Sequence, residues 1–348
     1  MPSHLGEHRP TIGRHMRDVR HFGAPISEGG TVIAMPDQDP TFDDVTAAAI
    51  RIAPYVRTTP LLILDELSQR LGFPIECKCE NLQVVGAFKA RGAANAVYAL
   101  PQAAASRGVA THSSGNHAAA LARAAKLRGI PAYIVMPKGA PRIKRAAVEA
   151  YGGQVHECEP TLAAREAAAE AIVARTGATL VHPYDDPLVI AGQGTVALEL
   201  ASVRVAPDVI LVPVGGGGLL AGTALTVRRL WPHTRIVGVE PSGADDAFRS
   251  FSSGELQAQT NPQTIADGLR GALSRRTLRM ARAHVDAIVT VSEEAIVAAM
   301  RLLFEQSKLV VEPSGAVTVA ALLEGKVVCQ SAIVVLSGGN VDLDALPW

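Results

Sequence analysis

The chain has 348 residues, 48% of them hydrophobic and 4% aromatic, with 33 basic and 33 acidic side chains. That length supports one large or two ordinary domains with a sizeable core. Balanced charge and few aromatics argue against nucleic acid, anionic membrane or stacked bases as partners.

Residues 1–40 hold several His and Arg residues, scattered Gly and Pro and no apolar period, which predicts a loosely ordered extension. They lack the apolar core of a secretory signal, and Glu7, Asp18 and Glu28 interrupt a transit-peptide pattern. The expected location is the cytoplasm, and Met35 is an alternative start just ahead of the globular pattern. A helix is predicted from Thr41 to Pro54, with Thr41 as N-cap and Asp43 and Asp44 in its first turn. An extended entry at 57–62, a short helix at 64–71, a strand at 75–79 and a helix from Gly86 to Leu100 follow.

Strands and helices then alternate. Strands are predicted at 109–112, 132–136, 154–158 and 180–182, with helices at 116–128, 141–151 and 161–175. A second run places a helix at 192–203, a strand at 209–214, a helix at 218–230 and a strand at 235–240. After a less regular stretch come a strand at 286–291, helices at 293–306 and 314–323, and a strand at 332–336. Such alternation implies mostly parallel sheets covered by helices, in two α/β domains. Ligands bind past the carboxyl ends of strands in sheets of this kind. Four unusual loops stand at such ends: Ser113–His117, Gly215–Gly218, Glu240–Asp246 and Ser337–Asn340.

Four cysteines are present, Cys77, Cys79, Cys158 and Cys329. Cys77 and Cys79 alternate along one strand and share a face. No second close Cys or His pair completes a zinc site, so ordinary reduced thiols are expected.

The stretch from Asp208 to Val227 organises the chain. A β-branched run precedes Gly215, Gly216, Gly217 and Gly218, and a helical pattern follows. Strand, glycine loop and helix together turn backbone N–H groups toward one point, where a helix end adds about half a positive charge. That layout suits a phosphate. A flexible linker or a membrane span are the alternatives, since no residue from Val209 to Val227 is charged. No Gly-Lys-Ser/Thr follows, which excludes a P-loop. Lys89 follows Ala87 and Phe88 at a helix start, where desolvation and helix-end charge lower an amine's pKa and free it to form a Schiff base. A snorkelling surface lysine is the alternative. Ser113–His117 offers hydroxyls, an amide and N–H groups suited to a carboxylate, or else a plain helix cap. Ser337 ends the last strand, either to meet a ring nitrogen or as a turn serine. A lysine imine with one bound phosphate describes pyridoxal phosphate.

Six segments, Gly86–Gly92, Ser113–His117, Ala191–Thr195, Pro213–Leu219, Ile265–Gly268 and Leu336–Asn340, together resemble the fold-type II pyridoxal-phosphate enzymes, of the tryptophan synthase β type. More narrowly the chain is similar to the serine/threonine dehydratases and their serine racemase-like branch, over about residues 41–345. The resemblance implies a large cofactor domain from 41–107 and 186–348 and a small mobile domain from 108–185. It implies that Lys89 carries the cofactor and moves a proton. Phe88 would pack beside the ring, Asn116 would bond its hydroxyl, and Ser337 would meet its nitrogen. Gly215, Gly216, Gly217, Gly218 and the Leu219 N–H would hold the phosphate. Ser113, Asn116 and His117 would hold the substrate carboxylate, with Arg165 and Asp267 also facing substrate. Ser114 matches a second base on the opposite face, which allows racemisation. Glu240, the Ala244 carbonyl and Asp246 match a structural site for Mg²⁺, Mn²⁺ or Ca²⁺, or else a solvated acidic loop.

Three positions depart from the pattern: Ala87, Tyr184 and Gly271 stand where related sequences carry serine, asparagine and serine. Gly271 enlarges the side-chain end of the substrate site, so serine, threonine, 3-hydroxyaspartate and bulkier 3-substituted serines stay open as substrates. The activity implied is dehydration of a β-hydroxy amino acid to a 2-oxo acid and ammonia, in a homodimer. Racemisation, β-replacement of the cysteine synthase type and a cofactor-holding module without catalysis are the alternatives.

Overall fold

A computed structural model describes residues 38–113, 115–140 and 142–348. The expected extension, apart from its last three residues, and Ser114 lie outside the described residues. Asp39–Trp348 forms one compact unit. Asp39 and Pro40 belong to it: Pro40 is buried, and Asp39 pairs with Arg279 at 2.6 Å.

In chain order the first elements are α1 (Phe42–Ile52), β1 (Leu61–Ile63), α2 (Asp65–Leu71), β2 (Ile75–Cys79), α3 (Lys89–Ala99) and α4 (Gln102–Ala105). Next come β3 (Val109–His112), α5 (Asn116–Arg128), β4 (Ala132–Pro137), α6 (Arg142–Ala150), β5 (Gln154–Cys158), α7 (Leu162–Thr176) and β6 (Thr179–Leu180). The chain continues with α8 (Pro187–Val203), β7 (Val209–Pro213), α9 (Gly218–Leu230), β8 (Arg235–Pro241), α10 (Asp246–Ser253) and α11 (Arg275–His284). It ends with β9 (Ala287–Val291), α12 (Glu293–Ser307), α13 (Pro313–Leu323) and β10 (Ala332–Leu336).

Thr41 caps α1 as expected, in a reciprocal pair with Asp44: the Asp44 N–H donates to Thr41 Oγ1 at 3.3 Å and the Thr41 N–H to Asp44 Oδ2 at 2.8 Å. The helix predicted from Gly192 begins five residues earlier, at Pro187. Asp186 accepts from the Leu188 and Val189 N–H groups at 2.8 and 3.2 Å, and Pro187 fills the first position, where it needs no N–H. Helices α10 and α11 occupy the stretch whose pattern was irregular.

Two sheets result. One has six strands in the order β1-β2-β10-β7-β8-β9, parallel except for β1. The other has four parallel strands in the order β5-β4-β3-β6. Both faces of the larger sheet are covered, which is why β7 and β10 read as unbroken apolar runs. Val209 and Leu211 enter one core cluster while Ile210 and Val212 enter another, following the two-residue period of a strand. Ala332, Val334 and Leu336 split from Ile333 and Val335 in the same way. Cys77 and Cys79 lie buried on one face with sulfurs 3.7 Å apart, and the four thiols are free.

Candidate active site

The glycine turn is built as its sequence demands. β7 stops at Pro213, the Val214 N–H still reaches Val239 O at 2.9 Å, and α9 starts at Gly218. Gly217 caps α9 with φ of +84°, a conformation other residues rarely adopt. The first N–H groups of α9, from Gly218 through Leu220, have no acceptor within the helix and carry its positive end. The walls are close: a Cβ on Gly215 would lie 2.9 Å from Leu269 Cα, and one on Gly216 would enter the Tyr184 ring. A flexible linker would not be walled in this way. Among the described residues no helix is long and apolar enough to cross a membrane.

Lys89 is brought beside this cup by the last strand. The Phe88 N–H donates to Ser337 O at 3.0 Å, the Gly339 N–H to Gly86 O at 2.9 Å, and Ala87 bridges Gly338. Lys89 Nζ turns inward, donating to Pro183 O at 2.6 Å and standing 5.1 Å from the Phe88 ring centre. Burial lowers its pKa to about 8, because the charged form loses hydration that one carbonyl does not replace. Two residues on, buried Arg91 pairs with Glu80 at 2.8 Å and Glu199 at 2.7 Å, and Glu199 also takes Lys78 at 2.6 Å. These pairs fasten α3 to the end of β2 and to α8, so Lys89 sits on a fixed support.

The start of α5 faces the same cleft. Gly115, not a serine, occupies the cap position, and no side chain caps this helix. Ser113 Oγ instead accepts from the Gly115 N–H at 3.4 Å. Asn116 donates from Nδ2 to Glu312 Oε1 at 2.8 Å. The His117 ring is buried, with Nε2 at 3.4 Å from Val181 O, and burial holds its pKa well below the ordinary value. The ring is thus held among buried groups through Nε2, while its Nδ1 is buried with no hydrogen-bond partner among the described residues. Ser337 is buried, its Oγ donating to Ser314 O at 3.4 Å. Arg165 on α7 is half-buried, contacts Thr161 O at 3.4 Å, and lies within electrostatic reach of His112 and Tyr184. Asp267 pairs with Lys144 of α6.

Tyr184 forms one wall of the cup. Its ring meets the His182 ring edge-on at 4.6 Å, and His182 meets His112 at 5.2 Å. His182 Nδ1 accepts the Asp185 N–H at 2.9 Å, and burial pushes this ring down to about 4, so it stays neutral. A Cβ on Gly271 would meet only Tyr184 Cε1, at 3.9 Å, so there is room at that end of the cleft.

Glu240 and Asp246 are both buried. Glu240 accepts from the Phe248 N–H at 2.6 Å and the Ala247 N–H at 3.2 Å, and Asp246 from Gln259 Nε2 at 3.0 Å and the Leu273 N–H at 3.3 Å. Burial, with the neighbouring Asp246 charge, pushes Glu240 up to about 9, and burial raises Asp246 to about 6. Neither carboxylate forms an ion pair among the described residues, apart from long-range attraction to Arg249. Carboxylate oxygens are the donor type that a hard divalent cation takes. The described residues hold no cluster of three or more His, Cys, Asp or Glu side chains able to bind a metal.

Glu312 escaped the reading from sequence, and Asn340 was placed in the Ser337–Asn340 loop without a role of its own. Glu312 stands just before α13, and the signal was an acid preceding proline at a helix start, Glu-Pro-Ser-Gly. Its direction into the cleft depends on packing that no local pattern reveals.

A glycine cup at a helix end stands beside a buried amine, flanked by two further strand-end loops, an arrangement able to take a phosphate-bearing group next to a lysine. Residues 52–338 match the model of the pyridoxal-phosphate dependent enzymes, and the chain belongs to that family. It is 48% identical over 311 residues to a beta-hydroxyaspartate dehydratase of Paracoccus denitrificans (strain Pd 1222), spanning 89% of this chain and 99% of the relative. Maize serine racemase superposes with a TM-score of 0.86 at 43% identity, over 88% of this chain and 95% of that one. A threonine deaminase of T.th. superposes with a TM-score of 0.84 at 47% identity, over 87% and 99%.

Proposed function

We propose that the protein dehydrates a β-hydroxy amino acid to a 2-oxo acid and ammonia. The observation that carries this reading is the Lys89 amine, desolvated and directed into a cleft beside the glycine cup. The relatives, named as a dehydratase, a racemase and a deaminase, support it. Pyridoxal phosphate, when bound, stabilises negative charge developing at the substrate's α-carbon. Gly215 to Gly218 and the Leu219 N–H hold its phosphate, Phe88 packs on its ring, Asn116 meets the ring oxygen and Ser337 the ring nitrogen. A serine does not hold that nitrogen protonated, which favours prompt loss of a β-substituent. Ser113 Oγ and the N–H groups of Asn116 and His117 hold the substrate carboxylate at the positive end of α5. Lys89 Nζ takes the α-proton, a proton is returned to the β-hydroxyl so that it leaves as water, and the released enamine takes up water and loses ammonia to give the 2-oxo acid. Arg165, Asp267 and the space beside Gly271 bound the side-chain end. Residues 108–185 form the small mobile domain, and two copies of the chain form a homodimer.

Racemisation is the second reading, favoured by Ser114 in the sequence and by the serine racemase relative. The deciding experiment is a panel of L-serine, D-serine, L-threonine, the 3-hydroxyaspartate isomers and phenylserine, assayed for 2-oxo acid and for inversion. Oxo acid exceeding inversion on one substrate supports the dehydratase. Inversion exceeding elimination assigns a racemase with Lys89 and Ser114 as its two bases. Neither product, with cofactor bound, turns the assignment to β-replacement, tested with sulfide and an activated serine.

Glu240, the Ala244 carbonyl and Asp246 hold Mg²⁺, or Mn²⁺ or Ca²⁺, in a structural role. A carboxyl whose pKa is raised on folding destabilises progressively as pH climbs from the ordinary carboxylate range toward the folded value, about 9 for Glu240. A bound cation keeps both groups ionised and removes that loss. EDTA is therefore expected to lower the melting temperature by several degrees, and by more at pH about 8 than at pH about 6. An unchanged melt, with no metal in the purified protein, would remove the site.

A further inference from the structure

Glu312 is a buried acid in the cleft that none of the steps above uses. It ends a continuous hydrogen-bonded chain. Val85 O accepts from Asn340 Nδ2 at 2.8 Å, the same nitrogen donates to Asn116 Oδ1 at 2.9 Å, and Asn116 Nδ2 donates to Glu312 Oε1 at 2.8 Å. The Val85 end dictates its direction, because a backbone carbonyl can only accept, and an ionised carboxylate at the other end agrees with it. Asn340 must present its NH₂ to Val85 and Asn116, and Asn116 must then present its NH₂ to Glu312. One N–H of Asn116 is left over, and its oxygen is already engaged.

The backbone is shaped around this chain. A Cβ on Gly338 would run into Glu312 Oε1, and one on Gly86 would lie 2.5 Å from Asn340 Oδ1. Val85, whose carbonyl anchors the far end, has φ of +57°, a conformation a β-branched residue rarely takes. Four separate segments thus converge to orient one amide.

We propose that Glu312 is a positioning residue: it makes Asn116 a hydrogen-bond donor toward the cofactor's ring oxygen, and its charge sets the strength of that bond. The proposal rests on the assignment of Asn116 to the ring oxygen, and not on which substrate is taken. Burial pushes Glu312 up to about 7, so its charge changes near neutral pH. The charged groups facing it are Asp267, which raises it, and Lys144 of α6, which lowers it.

The experiment is a pH titration of holoenzyme absorbance without substrate, from about pH 6 to about pH 8, in the wild type, Glu312→Gln and Asn116→Ala. The wild-type visible band is expected to change with a midpoint near neutral. Glu312→Gln is expected to stay in the wild type's low-pH form throughout. Its cofactor dissociation constant should be about tenfold higher than wild type at the alkaline end and equal to it at the acid end. Asn116→Ala should not titrate. A Glu312→Gln enzyme that titrates like the wild type, while Asn116→Ala is altered, sinks the role of Glu312 alone. An Asn116→Ala enzyme with the wild-type titration sinks the Asn116 assignment and the proposal with it. If Glu312→Gln does not fold, the other two proteins decide: a flat wild-type titration overturns the proposal.

Discussion

Lys89→Ala is expected to lose the absorbance of lysine-bound cofactor, and its turnover should fall by at least about 10³-fold. In the proposed reaction the side chain has two separate tasks, holding the cofactor and moving the α-proton, and alanine could do neither. Lys89→Arg separates chemistry from packing: it keeps the charge and much of the bulk but cannot form an imine, so it should be as inactive. Retained turnover in either variant would place the chemistry elsewhere. The same amine predicts a pH dependence. Its pKa is lowered to about 8, so the neutral, nucleophilic form predominates above that value and the ammonium below it. The rate at which apoprotein captures cofactor should rise with pH and level off above about 8. A plateau reached only near the ordinary lysine value, about 10.4, would mean that burial does not reach the amine.

Gly216→Ala is expected to weaken cofactor binding by about tenfold to a hundredfold, as read by equilibrium dialysis of the apoprotein. The added methyl has no free space, since it would enter the Tyr184 ring, which is itself wedged against His182. Forcing a methyl into a packed site costs about 1–3 kcal/mol, and each 1.4 kcal/mol is about a tenfold change in affinity. The cost falls on the cup, because Gly216 lies between the end of β7 and the cap of α9. Gly216→Ala combined with Tyr184→Ala should recover much of the loss. If the double variant binds no better than Gly216→Ala, the methyl is acting on the cup's backbone and not through the ring.

Much of this fold was legible in the chain because its signals are local. The strands at 75–79, 109–112 and 332–336 and the helices at 116–128 and 218–230 fall where apolar period and glycine punctuation place them. The expected start of α8 fell five residues late because the Asp186-Pro187 start signal was not used. The glycines at 92, 192, 194 and 222 lie inside tightly packed helices, where close approach outweighs poor helix propensity. Helices α10 and α11 went unseen since short amphipathic segments rich in Arg and Ser resemble loops.

Local sequence was enough for the alternation that makes two sheets, the glycine turn after β7 and the lysine at the start of α3. Each depends on residues within one short segment, whose backbone preferences and burial period act locally. Long-range packing was needed to turn the His117 ring into the core, to wall the cup with Tyr184, and to join Glu312, Asn116, Asn340 and Val85 in one chain of hydrogen bonds. Those residues lie in segments far apart along the chain, and the direction of a hydrogen bond depends on which acceptor folding delivers to it. That delivery is set by how β10 seats beside β2 and β7 and how α5 packs over the small sheet, which no single stretch of sequence contains.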